Sequence, residues 1–318
     1  MASRPKVAIA CQGGGSHAAF AAGVLRALLA PHTFTRFDLV ALSGTSGGAV
    51  CAALAWSGLI SGASDPASEA VRRLAAFWRE LEADDLSDAV ANFWGVWLAR
   101  LPVTAPVSPY VYEPVAEPML RDLLRKHVKF EALPAAVEAR RKPWLFVGAT
   151  DIREGEGRAL EGATLTEDDI VASAAIPPLY RAVETRGSLY WDGLFSRNPP
   201  IREFTDLPDD TRPDEIWVVR INPKRRESEP RAMPAISDRT NELAGNLALD
   251  QELFFIAKIN ELRVRFPELA ARYKHIALRV IELDRPDLDY PSKLDRSPRL
   301  IRELMRDGEQ KAASLLPA

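Results

Sequence analysis

The chain has 318 residues, 27% of them charged and 47% hydrophobic, ordinary globular values that exclude a disordered, collagenous or coiled-coil protein. Its formal net charge is −3, so it lacks the global basic field of a nucleic-acid binder, and no nucleic-acid partner is expected. Two cysteines, Cys11 and Cys51, and four histidines lie scattered without ligand spacing, which excludes a disulfide framework and predicts no metal site.

In chain order, the apolar run from Lys6 to Cys11 predicts a buried strand that ends in glycines. It is too short for the apolar region of a secretory signal and has no cleavage site after it, so a cytoplasmic protein is expected. Ser16 to Leu29 reads as a helix, with Phe20, Val24, Leu25 and Leu28 at helical spacing. Asp38 to Ser43 predicts a second buried strand, followed by glycines and a second apolar helix. Strand, helix, strand, helix is the start of a parallel α/β sheet. Residues 64–140 interrupt this alternation and read as an inserted helical cap that contains Trp94 and Trp97. Strands resume at Trp144 to Thr150, Leu189 to Trp191, Glu215 to Ile221 and His275 to Leu283. Between them come a short helix opened by Thr166, a long helix over Ser237 to Leu262 and, at the end, an amphipathic helix over Ser297 to Leu316. The fold class that follows is α/β: a single domain over 1–318 with a mostly parallel central sheet, flanking helices, the cap and a helical extension over about 235–318. No run of 18 uncharged apolar residues exists, so no spanning helix is predicted, although peripheral contact with a membrane or lipid body remains open.

Three motifs carry chemistry. Gly44-Thr45-Ser46-Gly47-Gly48 fits G-x-S-x-G between a strand and a helix, where a sharp turn lifts a serine hydroxyl above the sheet edge. Gly44, Gly47 and Gly48 let the backbone fold tightly there, and the helix N-terminus supplies partial positive charge. Gly13, Gly14 and Gly15 suit a nest of backbone N–H groups, the form an oxyanion hole takes. The same stretch, Gly13-x-Gly15-x-x-Ala18, also matches a dinucleotide fingerprint, but the second strand ends without the acidic residue that fingerprint needs. Asp192-Gly193 puts a carboxylate at a strand end, where it can act as general base to Ser46 without a histidine.

The blocks GGGSHAAFAAGVLRALL, VALSGTSGGAV, ASAAIPPLY and WDGLFSRNPP, in that order, resemble the patatin-like phospholipases, a family of lipid acyl hydrolases. The resemblance implies Ser46 as nucleophile, Asp192 as its dyad partner, Gly13 to Gly15 as the oxyanion loop and no cofactor. It departs at Ser16-His17-Ala18, where the family carries Arg or Lys, and at Leu194, where a small residue is usual. His17, Trp94 and Trp97 are expected to bind substrate, the tryptophans lining an acyl tunnel or docking on a lipid surface. The expected function is a serine esterase acting on phospholipid or another lipid ester. The alternatives are a non-catalytic lipid- or granule-binding protein and an acyltransferase. The order Ser46, Asp192, His275 also allows an α/β-hydrolase triad, but only two strands precede Ser46, and His275 opens a strand instead of following one. Cys51 reads as core and Ser173 as a support. Lys224, Arg225, Arg226 and Arg231 read as a solvated basic loop. Oligomeric state, chain-length preference and head group are not legible.

Overall fold

A computed structural model of the chain describes residues 4–99, 108–112, 116–139, 142–177 and 179–316. Continuous apolar runs build the centre of one eight-stranded sheet. These are β1 (Lys6–Cys11), β2 (Asp38–Thr45), β3 (Trp144–Asp151) and β7 (Glu215–Arg220). The other four strands are β4 (Glu156–Glu161), β5 (Val183–Thr185), β6 (Ser188–Asp192) and β8 (Ala277–Glu282). The order is β5-β6-β3-β2-β1-β7-β8, with β4 also on β3. Strands β3, β2, β1, β7 and β8 run parallel, whereas β4, β5 and β6 pair antiparallel. The expected α/β architecture with a mostly parallel centre therefore holds.

Helices cover both faces. They are α1 (Ala19–Leu28), α2 (Pro31–Phe34), α3 (Gly47–Leu59), α4 (Pro66–Leu81), α5 (Leu86–Ala99), α6 (Ala116–His127), α7 (Leu133–Ala139), α8 (Glu167–Ala174), α9 (Met233–Arg265), α10 (Pro267–Arg272) and α11 (Pro298–Ala312). Side-chain alternation along β1 separates two cores. Val7, Ile9 and Cys11 pack with α1, α3, α4, α8 and α11, while Ala8 and Ala10 pack with Phe204 and with Leu249 and Ile256 of α9. Helices α4 to α7 lie between β2 and β3. Phe77 and Trp78 of α4 belong to the main core. Residues 100–107 of the aromatic segment lie outside the described residues. Among the described residues, no helix is long and apolar enough to cross a membrane.

Candidate active site

Register on β3 places the two key residues. On one edge, β2 pairs from Ala41↔Trp144 to Thr45↔Gly148. Strand β4 occupies the opposite edge from Phe146 to Asp151. A strand has only two edges, so β6 takes up the first edge where β2 stops, pairing Asp192 with Ala149. Two chain segments 146 positions apart thus end head to head, with Ser46 following Thr45 and Asp192 closing β6.

Ser46 caps α3 with φ 55 and ψ −130, a backbone conformation that costs a non-glycine residue on the order of 1–3 kcal/mol. Its N–H donates to Ser173 Oγ at 3.0 Å, and that hydroxyl donates onward to the Gly148 carbonyl at 2.6 Å. Ser173 therefore clamps the strained turn onto β3, matching the supporting role expected of it.

Asp192 is 1% exposed. Its carboxyl accepts from the Leu194 amide at 2.8 Å and lies within hydrogen-bonding reach of the Ser46 hydroxyl. Burial pushes the carboxyl up to about 7; the Leu194 amide, the Ser46 hydroxyl and the Lys293 ammonium each offset part of that rise. Gly193 and Leu194 form the turn after β6, and Leu194 fills part of the cavity wall.

The glycine loop follows β1 and packs beside Ser46. Gly13 donates its N–H to Asn198 Oδ1 at 2.7 Å, so that donor is committed to holding the loop. Among the described residues, the amides of Gly14 and Gly15 donate to no protein acceptor. Gly47, at the first position of α3, adds an amide of the kind a helix start leaves unsatisfied. Gly15 has φ +56, and a Cβ there would collide with the Lys293 carbonyl, so only glycine fits.

Ser46, Asp192 and the glycine loop line one end of a cavity of about 530 Å³. Much of the remaining wall is apolar, with Val50 from α3, Phe77 and Trp78 from α4, Val96 from α5, and Met119 and Leu120 from α6, while Asn241, Lys293 and Arg296 add polar groups. A cavity of this size and lining suits an acyl chain.

Several expectations require correction. His17 does not face this cavity. It is buried, pairs its Nε2 with Ser292 Oγ at 2.8 Å, and burial lowers its imidazole to about 3, so it is neutral. Trp94 and Trp97 do not line an acyl tunnel. They are 51% and 44% exposed and stack edge-to-face on the outer side of α5, whose inner residues Ala91, Asn92, Gly95 and Val96 wall the cavity. In the basic loop Lys224, Arg225 and Arg231 are exposed as expected, whereas Arg226 is half-buried and pairs with Asp238 and Glu242. His275 lies just before β8 and is exposed. Because β8 runs parallel to β7 and through β1 to β2, it stands at the N-terminal rim of the strands, opposite Ser46, and no histidine triad forms. Cys51 is core, its thiol pushed up to about 12 by burial. Among the described residues, no cluster of histidine, cysteine and carboxylate side chains could hold a metal ion.

Residues that the sequence did not single out hold the glycine loop from behind. Gln12 Oε1 accepts from the Ile221 and Asn222 amides, both at 2.8 Å. Its Nε2 and the Asn198 Nδ2 both donate to the Gly245 carbonyl of α9, each at 3.0 Å. The one available sequence signal was Asn198, in the SRNPP stretch after the aspartate motif.

The sequence model of a family described as patatin-like phospholipase matches residues 9–205, more than half of the chain. Among solved structures, the chain is similar to VipD from Legionella pneumophila at 12% identity and a TM-score of 0.46, covering 99% of this chain and 67% of that one. It is also similar to the type III effector protein ExoU, at 16% identity and a TM-score of 0.41, covering 99% of this chain and 53% of that one. The ExoU–SpcU complex from the type III secretion system of Pseudomonas aeruginosa matches at 17% identity and a TM-score of 0.39, with the same coverage. The chain thus spans about half the length of ExoU. No curated protein matches the sequence significantly.

Proposed function

From its membership of the patatin-like phospholipase family, we propose that the chain is a lipid acyl hydrolase in which Ser46 and Asp192 act as a dyad. The observation that carries this reading is a serine held in a strained strand-to-helix turn, beside a buried carboxylate, at the end of an apolar cavity. Asp192 accepts the hydroxyl proton as Ser46 Oγ attacks the acyl carbonyl. The carbonyl oxygen becomes an oxyanion facing the free amides of Gly14 and Gly15 and the N-terminus of α3. Collapse of this intermediate expels the alcohol, which takes the proton from Asp192. Water then gives a proton to Asp192 and attacks the acyl-enzyme, and release of the acid returns that proton to Ser46. No step calls for a cofactor.

Asp192 must be ionised to accept a proton. Its carboxyl sits near 7, so kcat/KM rises with pH through about 7 and levels above it.

Helix α5 walls the cavity on its inner side. The outer face of that helix carries Phe93, Trp94 and Trp97, which supports peripheral contact with a lipid surface.

Fluorophosphonate labelling and hydrolysis of p-nitrophenyl butyrate test the reading. Ser46→Ala abolishes both and leaves the thermal unfolding transition cooperative. Unlabelled wild-type protein would instead favour a non-catalytic lipid-binding role, and ester products formed with an added alcohol would favour acyl transfer.

A further inference from the structure

Lys293 lies outside residues 9–205, in a single helical turn, Pro291–Leu294, before α11. It nevertheless lines the same cavity as Ser46 and Asp192. The ammonium donates to Asn222 Oδ1 at 2.7 Å and to Asn241 Oδ1. Both acceptors are neutral amides, and among the described residues Lys293 forms no direct ion pair. Asn222 in turn donates from Nδ2 to the Gly13 carbonyl at 3.3 Å, so one amide links the cation to the glycine loop. The Lys293 backbone packs directly on Gly15.

Asp192 is one of three acids whose charge acts on this cation. Asp238 and Glu242 of α9 also face Lys293, but Arg226 pairs with both, and Arg239 pairs with Glu242 at 2.9 Å. Arg296, another cation of the cavity wall, is neutralised by Asp88. His17 is neutral. Tyr180 and Tyr290 face Asp192, and burial keeps their phenols protonated. Asp192 itself has no cation at ion-pair distance among the described residues. Lys293 and Asp192 line the same cavity, and burial strengthens the attraction between them because little water screens it.

We propose that Lys293 is a positioning residue for the reaction: its ammonium, in the same cavity, favours the anionic Asp192 carboxyl that takes the Ser46 proton. This rests on the dyad reading above. Burial pushes Asp192 up and Lys293 down to about 8, and each group partly reverses the other's shift.

The test is the pH dependence of kcat/KM on p-nitrophenyl butyrate, a neutral ester, for wild type, K293M, K293Q and K293R. Removing the charge moves the acid limb to higher pH, because the ammonium favours the ionised carboxyl. At pH 6 kcat/KM falls, by a factor of about ten for each unit that the limb moves. The loss narrows above pH 9, where Lys293 of the wild type is itself deprotonated. K293R brings the limb back toward the wild-type position. K293Q keeps a donor for Asn222 and serves if K293M does not fold. A uniform loss at every pH with an unmoved limb would show a merely structural role and overturn the proposal. So would a loss confined to a phosphate-bearing ester such as lysophosphatidic acid, since that marks head-group recognition. Failure of the dyad looks different: Ser46→Ala would keep wild-type turnover, or the wild type would have none.

Discussion

Ser173 shows how a single hydroxyl sets the geometry of a reactive turn. It is fully buried, and it satisfies both the Ser46 N–H and the Gly148 carbonyl. Ser173→Ala removes both hydrogen bonds and should lower unfolding free energy by about 1–3 kcal/mol, read from urea denaturation. The same change should reduce kcat about tenfold with little change in KM, because it relaxes the orientation of Ser46 without altering the acyl cavity. Asp192 carries the opposite trade. Its folded carboxyl lies near 7, above the value of an unfolded aspartate, so the native state favours the protonated form. Stability from this group is present at low pH and is lost as pH rises toward 7. Asp192→Asn removes that loss, so the variant should be more stable than wild type by on the order of 2–4 kcal/mol at pH 8. The gain should fade as pH is lowered toward 4, in parallel thermal melts, while turnover drops nearly as far as in Ser46→Ala. Ser46 and Asp192 were legible in the sequence because turn chemistry demands glycines beside them. Gln12, Asn222 and Lys293 act across long chain separations with no local spacing to mark them.

Helix α9 illustrates the same limit at the level of elements. Its existence was plain from composition, yet its task is visible only in three dimensions. Gly245 and Asn246 lie against Gln12, Asn198 and Asn222, and Glu252 holds Arg197 and the amides of Ile201 and Arg202. The helix therefore braces both the glycine loop and the segment that follows Asp192. A Cβ on Gly245 would meet Asn222 Nδ2 at 2.7 Å, Leu194 Cδ1 at 2.9 Å and Asn198 Nδ2 at 3.2 Å. Gly245→Ala gains about 1 kcal/mol of helix propensity, set against displacement of those side chains. Thermal stability should shift little, but kcat/KM should fall about tenfold, because Asn198 is pushed off the Gly13 amide. An unchanged kcat/KM would show that the glycine loop does not depend on this brace. Strands β4 and β5 escaped prediction for physical reasons. β4 is a polar edge strand with Glu156, Arg158 and Glu161 on its surface, and β5 spans three residues, too few to show a period.

At the scale of the whole molecule, the cavity and the surface around α5 form one apolar system. Asn92 and Asp88 tie this helix to Asp295 and Arg296, and its inner side walls the cavity. Outward, Leu86, Val90, Phe93, Trp94 and Trp97 recur at helical spacing, and all are exposed. Tyr110 and Val111 extend the exposed surface. Apolar residues on both sides of one helix are costly in water unless something covers the outer side, and a substrate that resides in lipid aggregates brings such a cover with it. Indole rings suit that boundary, where an apolar body meets a hydrated edge. Each tryptophan is already half-covered by its neighbours, so transfer of the rest into lipid would bury a moderate area. At about 25 cal/mol per Å², the pair should be worth more than 1.4 kcal/mol, or about a tenfold change in partition. The double variant Trp94→Ser, Trp97→Ser should therefore lower kcat/KM on phosphatidylcholine vesicles about ten times more than on monomeric p-nitrophenyl butyrate. Vesicle co-sedimentation of Ser46→Ala, with and without the same two changes, should show the matching loss of binding. Equal losses on both substrates would assign the tryptophans to packing of the helix and leave the lipid surface without its contact.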